Sequence, residues 1–214
     1  MRESLASKKQ RVIDMIAIFD QVYADADCTL DYTDALQLLI ATQLAAQCTD
    51  ARVNLVTPAL FAKYPDVYAF AAADELELQE DIRSTGFFRN KAKNIIGCCQ
   101  MLIRDFGGEV PDNMEDLLKL PGVGRKTANL VMGDFFGVPG VVVDTHATRL
   151  SNRMGLTTNQ DPYKIELDLQ KVIPQTHWAH FCHQLVYHGR AYCMARSPKC
   201  DSCPVNHLCP RKGI

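Results

Sequence analysis

The chain has 214 residues, 47% hydrophobic and 22% charged, a balance that supports a buried core and excludes an intrinsically disordered chain. The formal charge of −2 excludes a uniformly basic nucleic-acid binder but not basic faces: acids crowd into residues 73–81, whereas residues 82–93 carry Arg83, Arg89, Lys91 and Lys93 and no acid. No apolar run approaches the roughly 18 residues that span a bilayer, and the charged start lacks a signal-peptide pattern, so a cytoplasmic protein with no membrane partner is expected.

Helical periodicity dominates from the start. Val12, Ile13, Met15, Ile16, Phe19, Val22 and Tyr23 predict a first helix. Leu36, Leu39, Ile40 and Leu44 predict a second, continuing into "AAQCTDARVNLV", where the polar run Gln47-Cys48-Thr49-Asp50 reads either as a cap or as a loop reaching into a ligand. "NKAKNIIGCCQMLIRDFGG" is a helix ended by Gly107-Gly108. "NMEDLLKL" is a short helix stopped by Pro121, and "RKTANLVMGDFF" places Ala128, Val131, Met132 and Phe135 on one face. "VPGVVV" is β-prone but isolated, and reads as an extended linker. "DTHATRLSNRMG" begins at Asp144, a favoured N-cap, and ends at Gly155. "DPYKIELDLQKVIP" has Asp161 as cap, Pro162 at the first helical position and Pro174 beyond the end. "THWAHFCHQLVYHG" is the last helix, so the fold class is all-α.

Chemistry concentrates in a few places. Cys193, Cys200, Cys203 and Cys209 have the spacing C-x6-C-x2-C-x5-C, which suits one tetrahedral or cubane site and leaves zinc and iron–sulfur both open. Arg190, Arg196, Lys199, Arg211 and Lys212 make the same segment basic. Cys28, Cys48, Cys98, Cys99 and Cys182 read as buried thiols. "PGVG" between the predicted helices is a tight turn; it is either a plain helix hairpin or a cradle whose backbone N–H groups meet a phosphate. Asp144 is either a cap alone or a carboxylate partner for a lysine. The histidines, including the 177/180/183 series, read as solvated or packed rather than as metal ligands.

Jointly, "LPGVGRKTAN", "VDTHATRLSNR", "LVYHGRAYC" and the terminal cysteine spacing resemble the endonuclease III family of helix–hairpin–helix DNA glycosylases, over about residues 10–210. The resemblance implies two all-α domains with a cleft between them. One is a six-helix barrel over residues 28–138; the other joins residues 1–27 to 139–214 as an iron–sulfur domain. It implies a [4Fe–4S] cluster on Cys193, Cys200, Cys203 and Cys209, structural rather than redox-active in the glycosylase chemistry. Lys126 matches the family's nucleophile and Asp144 its catalytic aspartate. A neutral amine attacks C1′, displaces an oxidised pyrimidine flipped from the stack, and forms a Schiff base that loses the 3′ phosphate by β-elimination. Gln47 matches a residue that fills the gap left by the flipped base, and Thr85-Gly86-Phe87 a loop that wedges against the opposite strand. Gly122 and Gly124 are implied to offer N–H groups to a phosphate, and His146 to line the phosphate or base pocket. The expected partner is double-stranded DNA carrying oxidised pyrimidines or abasic sites, bound by a monomer, at the nucleoid if the source is bacterial.

Two positions depart from the family pattern: Ala45 replaces a usual serine, and Gln43 stands where an aliphatic residue is usual and where related adenine glycosylases carry a catalytic glutamate. A monofunctional adenine or mismatch glycosylase and a non-catalytic iron–sulfur DNA-binding protein are the competing readings. Lys126 and the lack of a glutamate at position 43 weigh against the first, and the pairing of Lys126 with Asp144 against the second.

Overall fold

Side-chain caps set most of the helix starts. Ser4, Asp34, Thr49, Asp66, Asp74, Asn113, Asp144 and Asp161 each accept a hydrogen bond from a backbone N–H three residues on. The computed structural model describes residues 3–214, and among them it contains helices and no strand. In chain order the α-helices are α1 (Leu5–Val22), α2 (Ala35–Leu44), α3 (Asp50–Lys63), α4 (Val67–Ala71), α5 (Glu75–Asp81), α6 (Phe88–Phe106), α7 (Met114–Leu117), α8 (Arg125–Asp134), α9 (Thr145–Arg153), α10 (Pro162–Val172) and α11 (Trp178–Ala191). Residues 137–144 run without regular structure.

The chain divides into two compact units. One holds the described part of Met1–Cys28 together with Pro139–Ile214; the other is Thr29–Val138. In the first, Val12, Met15 and Phe19 of α1 pack with Leu150 of α9, Leu169 of α10 and Phe181 of α11. In the second, α4 and α5 pack on α6, α2 lies against α3, α6 and α8, and α7 against α8. Its core includes Leu38, Leu39, Phe70, Ile95, Leu102 and Val131, all at most 1% exposed.

Several sequence expectations change. The second predicted helix breaks at residues 45–49, because Thr49 caps a new helix with its side-chain oxygen on the Arg52 N–H, and α3 starts afresh. Phe135 is 41% exposed rather than on the buried face, because α8 ends at Asp134 and Phe135 is already its C-cap. Ile13 also faces outward, on the side of α1 opposite Met15, and Val22 is exposed at the last residue of the helix. Cys98, Cys99 and Cys182 are buried thiols, Cys98 pushed up to about 12 by burial, but Cys28 and Cys48 are only half-buried because they lie in the segments flanking α2.

Gly189 of α11 sits against the side chains of His146 and Arg149 of α9. A Cβ there would collide with the His146 ring Nδ1 and stand 3.0 Å from an Arg149 guanidinium nitrogen. Gly189→Ala is therefore expected to lower stability by about 1–3 kcal/mol, the usual cost of overpacking, read as a fall in the thermal unfolding midpoint.

Candidate functional site

The hairpin between α7 and α8 is held by apolar anchors. Leu120 and Val123 point inward at 2% and 8% exposure, and the Val123 N–H donates to the Leu120 carbonyl at 3.1 Å. Gly122 sits between them with φ +75°, and a Cβ on it would lie 2.7 Å from Gln43 Oε1 and 2.8 Å from Asn94 Cβ. Both conformation and space therefore demand glycine. Gln43 is buried directly beneath this turn, beside the Cys98 thiol.

Unlike α2 and α3, and like α6, helix α8 starts without a capping side chain. Its N-cap, Gly124, has no side chain to satisfy the first N–H groups, and the first turn contains no acid. Instead it begins Arg125-Lys126, with Lys126 exposed. Cations at the positive end of a helix dipole are disfavoured by about 0.3–1 kcal/mol each. An anion placed against the turn removes that conflict, since it accepts from the N–H groups and screens the charges. Gly124 has open space around its Cβ position, so the protein's own packing does not require glycine there.

Two further expected residues, Gln47 and Phe87, share an unusual backbone state in the same unit. Gln47 has φ 53° and Phe87 φ 49°, both left-handed, at a cost of order 1–3 kcal/mol each for a side-chain-bearing residue. Both are exposed, Phe87 at 62%. Arg83 and Arg89 hold their guanidinium groups 5.7 Å from the Phe88 ring, so this tip is aromatic and basic together. Thr85 requires a correction. It is 2% exposed and its hydroxyl donates to the Ile82 carbonyl at 2.8 Å, so its side chain shapes the loop from inside instead of reaching outward. Lys91, which the sequence presented as one base in a basic run, is 5% exposed. Its ammonium donates to the carbonyls of Leu44 at 2.7 Å and Thr85 at 2.8 Å.

The other unit carries Asp144, His146 and the four cysteines. Asp144 caps α9, its Oδ1 accepting from the Ala147 N–H at 2.7 Å, which fixes the carboxylate orientation and leaves Oδ2 for other work. His146 lies 3.1 Å through Nδ1 from Arg149 and is half-buried against Gly189. Arg149 and Arg153, one turn apart on α9, grip the cysteine segment. Arg149 donates to the Cys193 carbonyl, and Arg153 to the carbonyls of Met194 and Ala195 at 2.7 and 2.9 Å. Arg11 of α1 adds a third clamp, donating to the carbonyls of Met154 and Leu208. The functional meaning of "THATRLSNR" is thus double, with a cap at its start and two clamping arginines along it. Only their four-residue spacing hinted at the second role.

All four cysteines line one pocket, together with Met154 and Val205 and with no aspartate or glutamate. Burial pushes the Cys203 and Cys209 thiols up, backbone N–H groups of Val205 and Arg211 pull the other way, and the neighbouring cysteines push up again. Four thiolates together therefore need a cationic core, and the soft, carboxylate-free donor set fits an iron–sulfur cluster. His188 is buried beside them, Nδ1 at 2.9 Å from the Tyr23 hydroxyl and Nε2 at 3.5 Å from Cys203 Sγ; burial lowers its pKa to about 4, so it is neutral at physiological pH. It is packed, as expected, yet sequence gave no sign that it touches a cysteine.

Comparison with known proteins agrees with this arrangement. Residues 40–175 match the HhH-GPD superfamily of base excision DNA repair proteins, and residues 193–209 the iron–sulfur binding domain of endonuclease III. The chain is 56% identical over 207 residues to endonuclease III of Synechocystis sp., covering 96% of this chain and 94% of the relative. It is 46% identical to endonuclease III of Bacillus subtilis, covering 90% and 88%. The fold superposes on a trapped endonuclease III–DNA covalent intermediate with a TM-score of 0.90 at 45% identity, covering 95% of this chain and 96% of that one. A thermostable thymine-DNA glycosylase shares the fold at TM-score 0.86 and 24% identity.

Substitutions at the two hairpin glycines separate packing from the expected anion contact. Gly122→Ala is expected to lower both the unfolding midpoint and affinity for duplex DNA. Gly124→Ala, with free space around it, is expected to cost at most about 1 kcal/mol of stability while weakening DNA binding about tenfold. Calorimetry and a binding titration at one fixed salt concentration check both.

Proposed function

The chain belongs to the endonuclease III family of HhH-GPD base excision repair proteins, and within that family we propose that Lys126 is its nucleophile and Asp144 its catalytic carboxylate. The protein is a bifunctional DNA glycosylase and abasic-site lyase with a [4Fe–4S] cluster. The observation that carries the assignment of Lys126 is its position: an exposed lysine in the first turn of a glycine-capped helix, beside a turn shaped for an anion.

In this reading the phosphate beside the lesion rests against the hairpin around Gly122 and Gly124. Lys126 Nζ, as the free amine, bonds to C1′ of the flipped nucleotide while the C1′–N bond to the base breaks. The base leaves with a proton. The sugar ring opens at O4′, giving a Schiff base between Lys126 and C1′. Loss of a C2′ proton then expels the 3′ phosphate. Asp144 stabilises positive charge on the opening sugar and relays protons, using the oxygen that the cap does not occupy. Gln47 and Phe87 fill the space vacated in the duplex, and His146 faces the sugar-phosphate. The cluster, when bound, supplies the cationic core that fixes residues 193–209 as a loop bearing Arg196 and Lys199, with Arg211 just beyond it. Substrates are oxidised pyrimidines and abasic sites in double-stranded DNA, and the protein acts as a monomer. Gln43 supports this range over adenine excision, because a carboxamide cannot act as the acid that a glutamate supplies there.

Cap and catalysis separate at Asp144. Asn is as good an N-cap as Asp, so Asp144→Asn is expected to keep its unfolding midpoint while base release from a thymine glycol duplex slows by about a hundredfold or more. Lys126→Gln is expected to bind the same duplex and release neither base nor cut strand. Normal cleavage by Lys126→Gln, or an Asp144→Asn variant that is slow only because it is unfolded, contradicts these roles.

A further inference from the structure

We propose that Lys91 is a positioning residue that ties the Gln47 loop to the Phe87 loop, so that both enter damaged DNA as one unit. The proposal rests on the reading of those loops as gap-filling given above. Its observation is separate: a buried ammonium whose acceptors are main-chain carbonyls at the base of each loop.

The geometry is specific. The Leu44 carbonyl is one of the last of α2, which has no helical partner. The Thr85 carbonyl is the last of the 3-10 turn Arg83–Thr85, which the Gly86 N–H closes onto the Arg83 carbonyl. Lys91 stands on the first turn of α6 and reaches both at 2.7 and 2.8 Å. Gln47 follows Leu44 by three residues and Phe87 follows Thr85 by two, and these are the positions where each loop turns left-handed. Two exposed, strained side chains thus depend on one buried nitrogen. Cys48, in the first loop, lies close enough to Lys91 to favour its charge, although burial lowers its pKa overall.

Packing alone does not explain a lysine here. A methionine fills similar volume without the desolvation penalty of an ammonium. Two carbonyls accepting from the same ammonium cannot move apart without leaving a buried donor unpaired. That coupling transmits a displacement of one loop to the other. A helix cap for α2 would need only the Leu44 contact; the Thr85 contact is what makes the tie.

The test compares Lys91→Met, Gln47→Ala, Phe87→Ala and the Lys91→Met/Gln47→Ala pair with the wild-type protein. The probe is a duplex containing a tetrahydrofuran abasic analogue opposite 2-aminopurine, against the same duplex undamaged. Lys91→Met is expected to reduce the damaged-to-undamaged affinity ratio about tenfold and to lose the 2-aminopurine fluorescence change, with the pair no worse than the larger single effect. A purely structural lysine would lower the unfolding midpoint while leaving the ratio and fluorescence change intact, and that result overturns the proposal. So does a pair whose losses multiply. If Gln47→Ala and Phe87→Ala leave the ratio at its wild-type value, the gap-filling reading of the loops fails, and the proposal fails with it at that premise. Should Lys91→Met not unfold cooperatively, Lys91→Gln, which keeps a buried donor group while removing the charge and shortening the reach, carries the same comparison and the same outcomes.

Discussion

A helix start with no capping side chain and an exposed lysine in its first turn leaves backbone N–H groups without a side-chain acceptor, and the turn that leads into it is firmly held in place. Leu120 and Val123 bury the hairpin from below, and Gln43 and Asn94 close the space under Gly122. Most of the other helices start behind a capping Asp, Asn, Ser or Thr, although α6 and α11 also lack one. What distinguishes α8 is that its uncapped start is a glycine turn with open space around Gly124, where an outside group can supply the missing acceptor. In the proposed reading a DNA phosphate fills that role and sets the nearby amine of Lys126 beside a sugar.

The second unit solves a different problem. A segment of 17 residues with four cysteines and two prolines has too little apolar surface to fold alone. It is fastened by main-chain hydrogen bonds from Arg11, Arg149 and Arg153, and by the metal core that its thiolates require. The same helix, α9, supplies two of those arginines and is capped by Asp144. The carboxylate assigned to catalysis and the clamps on the metal loop are thereby parts of one rigid element.

Much of this was legible in the sequence, for identifiable reasons. Helices α6, α9 and α10 showed themselves through long periodic faces and clear end signals such as Gly107, Asp144 and Pro162. Helices α4 and α5 were not expected, because five and seven residues are too few to display a period. The break between α2 and α3 was visible as a polar run but not as a new helix start, since Thr49 reads equally well as a loop residue. Lys126, Asp144 and the cysteines stood out as candidates because motif and chemistry coincided. Lys91 was not: burial of a lysine comes from tertiary packing, and in sequence it is one more base beside Arg89 and Lys93. Thr85 misled for the same reason, its neighbours Gly86 and Phe87 being exposed while it turns inward.

The most direct measurement is to trap the protein on a thymine glycol duplex with borohydride, digest the covalent adduct and locate the modified residue by mass spectrometry. A reduced sugar remnant on Lys126 Nζ, in protein carrying its iron–sulfur cluster, is the predicted result. A remnant on any other residue, or base release with no adduct at all, contradicts the assignment of this lysine as the nucleophile.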